Sequence, residues 1–306
     1  MTKKPYRSSV PGTLFRILII LIAIGFFAFG GYNMYFYVSD NAKSDQGRDK
    51  LANQSVTILE PQEHSQQCEE DLDAIFSPDV QSGHKIAPDL SKTIPLIVDF
   101  ETLQAEHPEI IGWIYGPDTP INYPIVQGED NQYYVNHLVD GTPLGSGAIF
   151  LDFRNSPDLS DRNSLIYGHN MTNKSMFGSL RNYRNQSYYD ENPLLWIVTP
   201  EMAYRVDLIA GCVTAADSDD YDLLETEEEL QTLLDELIGK STFKSKLNPA
   251  VVERVVVLST CTYEYDNARY IVIGNLLPIP YPETDANENA TEANEDIAET
   301  NADIIE

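Results

Sequence analysis

Between Ile110 and Leu276 the chain is cut into short apolar runs, each closed by Gly, Pro, Asn, Asp or Thr. After Ile110–Tyr115 come INYPIVQ, GAIFLDF, NSLIYGH, LLWIVT, YRVDLIAGCVTA, ERVVVLST and ARYIVIGNL. Their length and their Val, Ile and Tyr content read as strands with turn residues between them. Many short strands in a row predict a mostly β fold, a closed or nearly closed barrel with a few helices. One segment breaks the rhythm: ETEEELQTLLDELI places Leu230, Leu233, Leu234 and Leu237 on one helical face. That periodicity predicts an amphipathic helix over 225–238, inserted between two strands and packed on the barrel. Upstream, Asp99 or Thr102 can cap a short helix that ends before Pro108.

The chain has 306 residues, with 48 acidic and 20 basic side chains and a formal charge of -28. Phosphate neutralisation needs clustered Lys and Arg, so nucleic acid is excluded as a partner. From Ile17 to Val38, 22 residues are apolar or aromatic except Asn33. A helix of that length spans about 33 Å, close to the hydrocarbon thickness of a bilayer. Lys3, Lys4, Arg7 and Arg16 precede it and predict a cytoplasmic N-terminus with the rest of the chain outside. A cleaved signal peptide is the rival reading, with Ala28 and Gly30 near a poor cleavage site, but its apolar core would be shorter. Residues 39–94 are polar and mixed, a stalk with one short helix over Glu69–Phe76. Beyond Pro280 the sequence carries nine acids, no base and no aromatic after Tyr281, the composition of a disordered tail.

Three cysteines, Cys68, Cys212 and Cys261, form no C-x-x-C pair, and no His stands at metal-ligand spacing, so neither metal nor cofactor is expected. A Cys68–Cys212 disulfide stays open; Cys212, in LIAGCVTAA, reads as a buried small hydrophobe. Cys261 ends the run VVVLST, and Arg269 opens the next one eight residues later. If 262–267 form the connection, antiparallel return brings the guanidinium near the thiol. There it can act only as a cation and forked donor. A thiol needs activation to be a nucleophile, and a leaving group needs a proton donor, usually His. His64 and His84 lie in the polar stalk, His107 at a helix end before Pro108, and His137 in a polar loop. His169 closes the run NSLIYGH, which makes it the candidate.

VLSTC with Arg269 eight positions on, together with YGHN, resembles the catalytic signature of the sortases, membrane-anchored cysteine transpeptidases of Gram-positive bacteria. The family pattern is Thr-Leu-x-Thr-Cys; Val257 replaces the first Thr, and Leu258, Thr260 and Cys261 match. The stretches from Asp99 to His137, GSGAIFLDFRN and SLIYGHNMTNKSMFGSL resemble class B sortases in particular, so the likeness runs from about Leu96 to Leu276. It implies a sortase-type closed barrel of about eight strands, with N-terminal helices and the inserted helix beside a substrate groove. It implies Cys261 as nucleophile, His169 as general acid/base and Arg269 as the third catalytic member, with Thr260 and Tyr263 as candidates for shaping the pocket. The substrate would be a surface protein bearing a C-terminal sorting signal, cleaved after Thr through a thioester. The acceptor would be an amine of a peptidoglycan precursor or cross-bridge. The expected organisation is a cytoplasmic N-terminus (1–16), a transmembrane anchor (17–38), an extracellular stalk and helical segment (39–94), a sortase catalytic domain (95–280) and an acidic tail (281–306). The implied location is the cell membrane, single-pass, with the catalytic domain extracellular. A pilin-polymerising sortase, a cysteine peptidase releasing the acyl group to water, and a non-catalytic membrane-tethered interaction module are the alternatives. Whether Cys261 and His169 form a standing ion pair or react through a minor doubly competent fraction stays open as well.

Overall fold

The structure, a computed structural model, describes residues 11–59, 94–279 and 281. Ten strands and four α-helices are formed there, and eight of the strands close into a barrel. A long helix α1 (Pro11–Ser55) leads into a two-stranded antiparallel sheet of β1 (Val56–Ile58) and β2 (Leu96–Val98). Helix α2 (Phe100–Glu106) follows, and the Asp99 carboxylate caps it by accepting from the Thr102 backbone N–H at 3.0 Å.

The barrel strands are β3 (Ile110–Tyr115), β4 (Asn122–Gln127), β5 (Ile149–Leu151), β6 (Asn163–Tyr167), β7 (Leu194–Val198), β8 (Ala203–Ala215), β9 (Val255–Cys261) and β10 (Ala268–Ile279). Around the barrel they run β10-β8-β7-β3-β4-β5-β6-β9, with β9 paired back to β10. Two pairings are parallel, β4 with β5 and β6 with β9. Closure leaves the barrel strands without open edges.

Because successive strand residues face opposite sides, each apolar run feeds two cores. Val256, Leu258, Tyr270 and Val272 fill the barrel interior with Ile125, Ile149 and Phe177. Val255, Val257, Ile271 and Ile273 face outward and are covered by helix α4 (Glu227–Gly239). Leu230, Leu233, Leu234 and Leu237 are its buried stripe, as the periodicity requires. Thr226 and Glu229 form a reciprocal capping box at its start, which fixes where the helix begins. A third cluster, around Trp113, Phe150 and Trp196, lies on the opposite outer face under α2 and the end of α1.

The apolar run at 17–38 is thus part of a longer helix. Asn33, its polar interruption, donates one amide N–H to the Phe29 carbonyl at 2.8 Å, within the helix. Residues 44–55, which the sequence assigns to a stalk, continue the helix onto the barrel, with Leu51 and Ala52 against the third cluster. Among the described residues this is the one helix long and apolar enough to cross a membrane. Glu69–Phe76, Cys68, His64, His84 and the tail beyond Tyr281 lie outside the described residues. Tyr281 itself donates to the Thr199 carbonyl at 2.7 Å, which ties the chain back after β10.

Candidate active site

Strand β9 ends at Cys261, and in the antiparallel register Cys261 lies directly opposite Arg269 of β10. Directly opposed residues share a face, with Cβ atoms about 4.5–5.5 Å apart. The parity of Val255, Val257 and Ile271 puts that face outside the barrel, on the side covered farther along by α4. On the other flank, β6 runs parallel to β9, pairing Tyr167 with Ser259. The ladder continues one step past β6, where the Gly168 N–H donates to the Ser259 carbonyl at 3.1 Å. A Cβ on Gly168 would run into Ile149 and Phe177 in the interior, so this residue faces inward and must be small. His169, the next residue, therefore emerges on the outer side, in the row of Cys261 and Arg269. All three are half-buried.

Hydrogen bonds fix this arrangement. Asn170 Nδ2 donates to the Cys261 carbonyl at 2.7 Å, tying the residue after the histidine to the cysteine. His169 Nε2 lies 2.6 Å from the Val135 carbonyl in the β4–β5 connection. A carbonyl can only accept, so Nε2 carries the proton and Nδ1 is the basic nitrogen of the neutral ring.

Beside the row lies a polar network that joins β6 and β9 to the segment just past β5. The buried Asp152 carboxylate accepts from Tyr167 Oη and Asn131 Nδ2, both at 2.9 Å, and from Arg154 Nε and Nη2, both at 2.8 Å. Tyr167 stacks on Tyr221, whose hydroxyl is 2.8 Å from Ser259 Oγ. Burial works against ionisation of Asp152, but the hydrogen bonds led by Arg154 outweigh it and hold the carboxyl below its ordinary pKa. A carboxylate depressed in this way stabilises the fold above its unfolded value of about 3.9 and loses that contribution as pH falls through the folded pKa. Asp152→Asn is expected to cost about 1–3 kcal/mol near neutral pH. The loss should shrink below about pH 4, as seen in thermal melts of both proteins across that range. A constant difference at every pH would show that the charge on Asp152 is irrelevant.

The β9–β10 connection, 262–267, is pinned at its base. Thr262 donates from its backbone to the Ala268 carbonyl at 3.0 Å and from its hydroxyl to Glu264 at 2.6 Å. Arg184 pairs with Glu264, donates to Thr262 Oγ1 at 3.0 Å and lies over the Tyr270 ring at 4.8 Å. The Thr262 hydroxyl and the Arg184 guanidinium hold the Glu264 carboxyl at about 2, so the latch stays charged at any physiological pH. Arg181, Arg184, Thr262, Tyr263 and Glu264 line an open depression of about 360 Å³.

Of the five residues expected from sequence, Cys261 and Arg269 are register partners, and His169 stands on the neighbouring segment, next to the Asn170 that bonds Cys261. Tyr263 is exposed on the hairpin and borders the depression. Thr260 pairs with Tyr270 of the interior core and is 2% exposed, so its side chain points into the barrel, away from the face of Cys261. Cys212 is buried, as its apolar surroundings indicate, and burial pushes its thiol up to about 12. Asp266 sits exposed in the turn. Among the described residues no cluster of His, Cys, Asp and Glu could hold a metal ion. Sequence reasoning missed Asn170, Tyr221 and Asp152. Asn170 alone had a signal, standing beside the histidine in YGHN.

A family profile described as Sortase domain matches residues 114–277. Sortase B of Listeria monocytogenes is 31% identical over 185 residues, covering 58% of this chain and 74% of that protein. A structure described as a Staphylococcus aureus sortase B-substrate complex is similar at TM-score 0.55 and 29% identity, over 59% of this chain and 85% of that one. Sortase B of Clostridium perfringens is similar at TM-score 0.54 and 28% identity, over 58% of this chain and all of that one.

Proposed function

Because this chain belongs to the sortase family, whose members are cysteine transpeptidases, we propose that it cleaves a C-terminal sorting signal after Thr and joins the new carboxyl end to an amine of the cell wall. The observation that supports this reading most is the single outward row of His169, Cys261 and Arg269 on three neighbouring chain segments. In the first step the Cys261 thiolate attacks the Thr carbonyl carbon. Arg269 donates to the oxyanion or to the substrate backbone as charge develops there. The C–N bond breaks, and the departing amine takes the proton held on His169 Nδ1, leaving a thioester on Cys261. In the second step an amine attacks the thioester, its proton passes to His169, and the C–S bond breaks to return the thiolate. The leaving and entering amines thus use one acid/base group in opposite directions.

Partners follow from this chemistry: exported proteins bearing the signal, and a peptidoglycan precursor or cross-bridge that supplies the amine. Both meet at an outer membrane surface. A span over 17–38 with the N-terminus in the cytoplasm would hold the 95–280 unit there and raise their effective concentration. The relative described as a sortase B-substrate complex makes a peptide substrate a natural first probe.

The test uses the full chain in detergent micelles, quenched peptides covering several sorting-signal sequences, and a graded concentration of an amine. Cleavage after Thr, with the product shifting from free acid to amide as amine is added, is expected. Free acid alone at every amine concentration would assign a peptidase. If no peptide is cleaved and none forms a thioester, the reading fails.

A further inference from the structure

The connection that follows His169 carries two non-glycine residues with positive φ, Lys174 at 66° and Met176 at 53°. At Met176 this is combined with a ψ of -131°, outside the small left-handed region open to side-chain-bearing residues. Such a backbone persists only where its surroundings over-determine it, and such sites cluster where geometry matters for function. Here the determinant is Tyr123 on β4. Its hydroxyl accepts from the Met176 N–H at 2.8 Å. Met176 in turn forms an isolated bridge with Asn170, and the Phe177 N–H donates to the His169 carbonyl at 3.0 Å. The strained residue is therefore the point at which the connection closes back on the histidine.

The same Tyr123 oxygen accepts from Arg48 Nη1 of α1 at 2.9 Å, and the Arg48 guanidinium lies 5.2 Å from the ring centre. Arg48 is itself steadied by Asp49 at 2.7 Å and Asp45 at 3.4 Å on its own helix. A second contact joins the same two elements, since the Tyr37 side chain of α1 lies against Thr172, three residues past His169. The helix that carries the apolar span thus braces the His169 connection at two places, and at one of them Tyr123 is the acceptor shared by Arg48 and Met176.

We propose that Tyr123 is a positioning residue for His169, and that Arg48 makes the long N-terminal helix part of that brace. The proposal rests on the reading of His169 as the acid/base group. Tyr123 is buried in the barrel-interior core, where it sets the backbone from which the imidazole reaches the Cys261 row.

Tyr123→Phe keeps the buried ring and removes the acceptor used by both neighbours. In the full chain in micelles, kcat for sorting-signal peptide cleavage is expected to fall about tenfold with KM within about twofold, because small misplacements of an acid/base group weigh on the chemical step. The limb of the kcat/KM–pH profile that belongs to His169 should shift as well. Arg48→Met should give the same pattern at about a threefold loss. A general loss of folded protein would scale the rate without moving the pH limb. Wild-type kcat and pH profile in Tyr123→Phe overturn the proposal. Should that variant not fold, Arg48→Met decides by the same two readouts. Cys261→Ala and His169→Ala belong in the same assay. If they stay active, the functional reading has failed; if they are inert while Tyr123→Phe matches wild type, only the positioning role has.

Discussion

Cys261→Ala is expected to form no thioester and to lower kcat/KM for a sorting-signal peptide by at least about 10³-fold, because the covalent route disappears with the sulfur. His169→Ala should lose about 10²–10⁴-fold, the usual worth of a positioned acid/base group. The sharper expectation concerns the double variant. Groups that act as a unit are grossly non-additive, so Cys261→Ala with His169→Ala should be no worse than Cys261→Ala alone. Mass spectrometry of the trapped acyl-enzyme and steady-state kinetics on all three proteins check this. Losses that simply multiply would mean that the two residues, though joined through the Asn170–Cys261 tie, serve separate steps.

Arg269→Ala is expected to cost about 10²–10³ in kcat, the penalty for removing one donor from a developing oxyanion. Arg269→Lys is the informative partner, since it keeps the charge and loses the planar fork. Recovery of a small part of the activity by lysine is expected. Full recovery would show that only the positive charge matters. Substitution at Arg269 should leave folding nearly intact, because among the described residues its side chain donates one hydrogen bond, from Nη1 to the neighbouring Ala268 carbonyl at 3.1 Å.

Much of this molecule was legible because its signals are local. The leucine stripe of α4, the cap at Asp99 and the hairpin that opposes Cys261 to Arg269 are each set by residues within about a dozen positions of one another. The continuation of α1 from Val38 to Ser55 was not legible. Residues 39–50 carry no apolar stripe, and that part of the helix is held by scattered tertiary contacts such as Arg48 on Tyr123. The parallel pairing of β6 with β9 joins segments some ninety residues apart, and no spacing announces it. Its consequences were hidden with it: the Asn170 tie to Cys261, and the chain of side chains from Asp152 through Tyr167 and Tyr221 to Ser259. The partner of His169 is a backbone carbonyl, which any residue could have provided. Thr260 is the instructive case. It belongs to the motif, yet strand alternation turns it inward, so its place in VLSTC reflects the strand beneath the site.

The β9–β10 hairpin is also the last part of the barrel to leave the ribosome, and it slots between β6 and β8, which are already made. Two of the three candidate catalytic groups travel on it. A growing chain that has emitted everything up to β8 owns His169 and most of the sheet but neither Cys261 nor Arg269. On the proposed assignment, reactivity therefore arrives in one event, when the final strand pair zips into its gap, and until then the chain lacks the thiol proposed to capture a peptide.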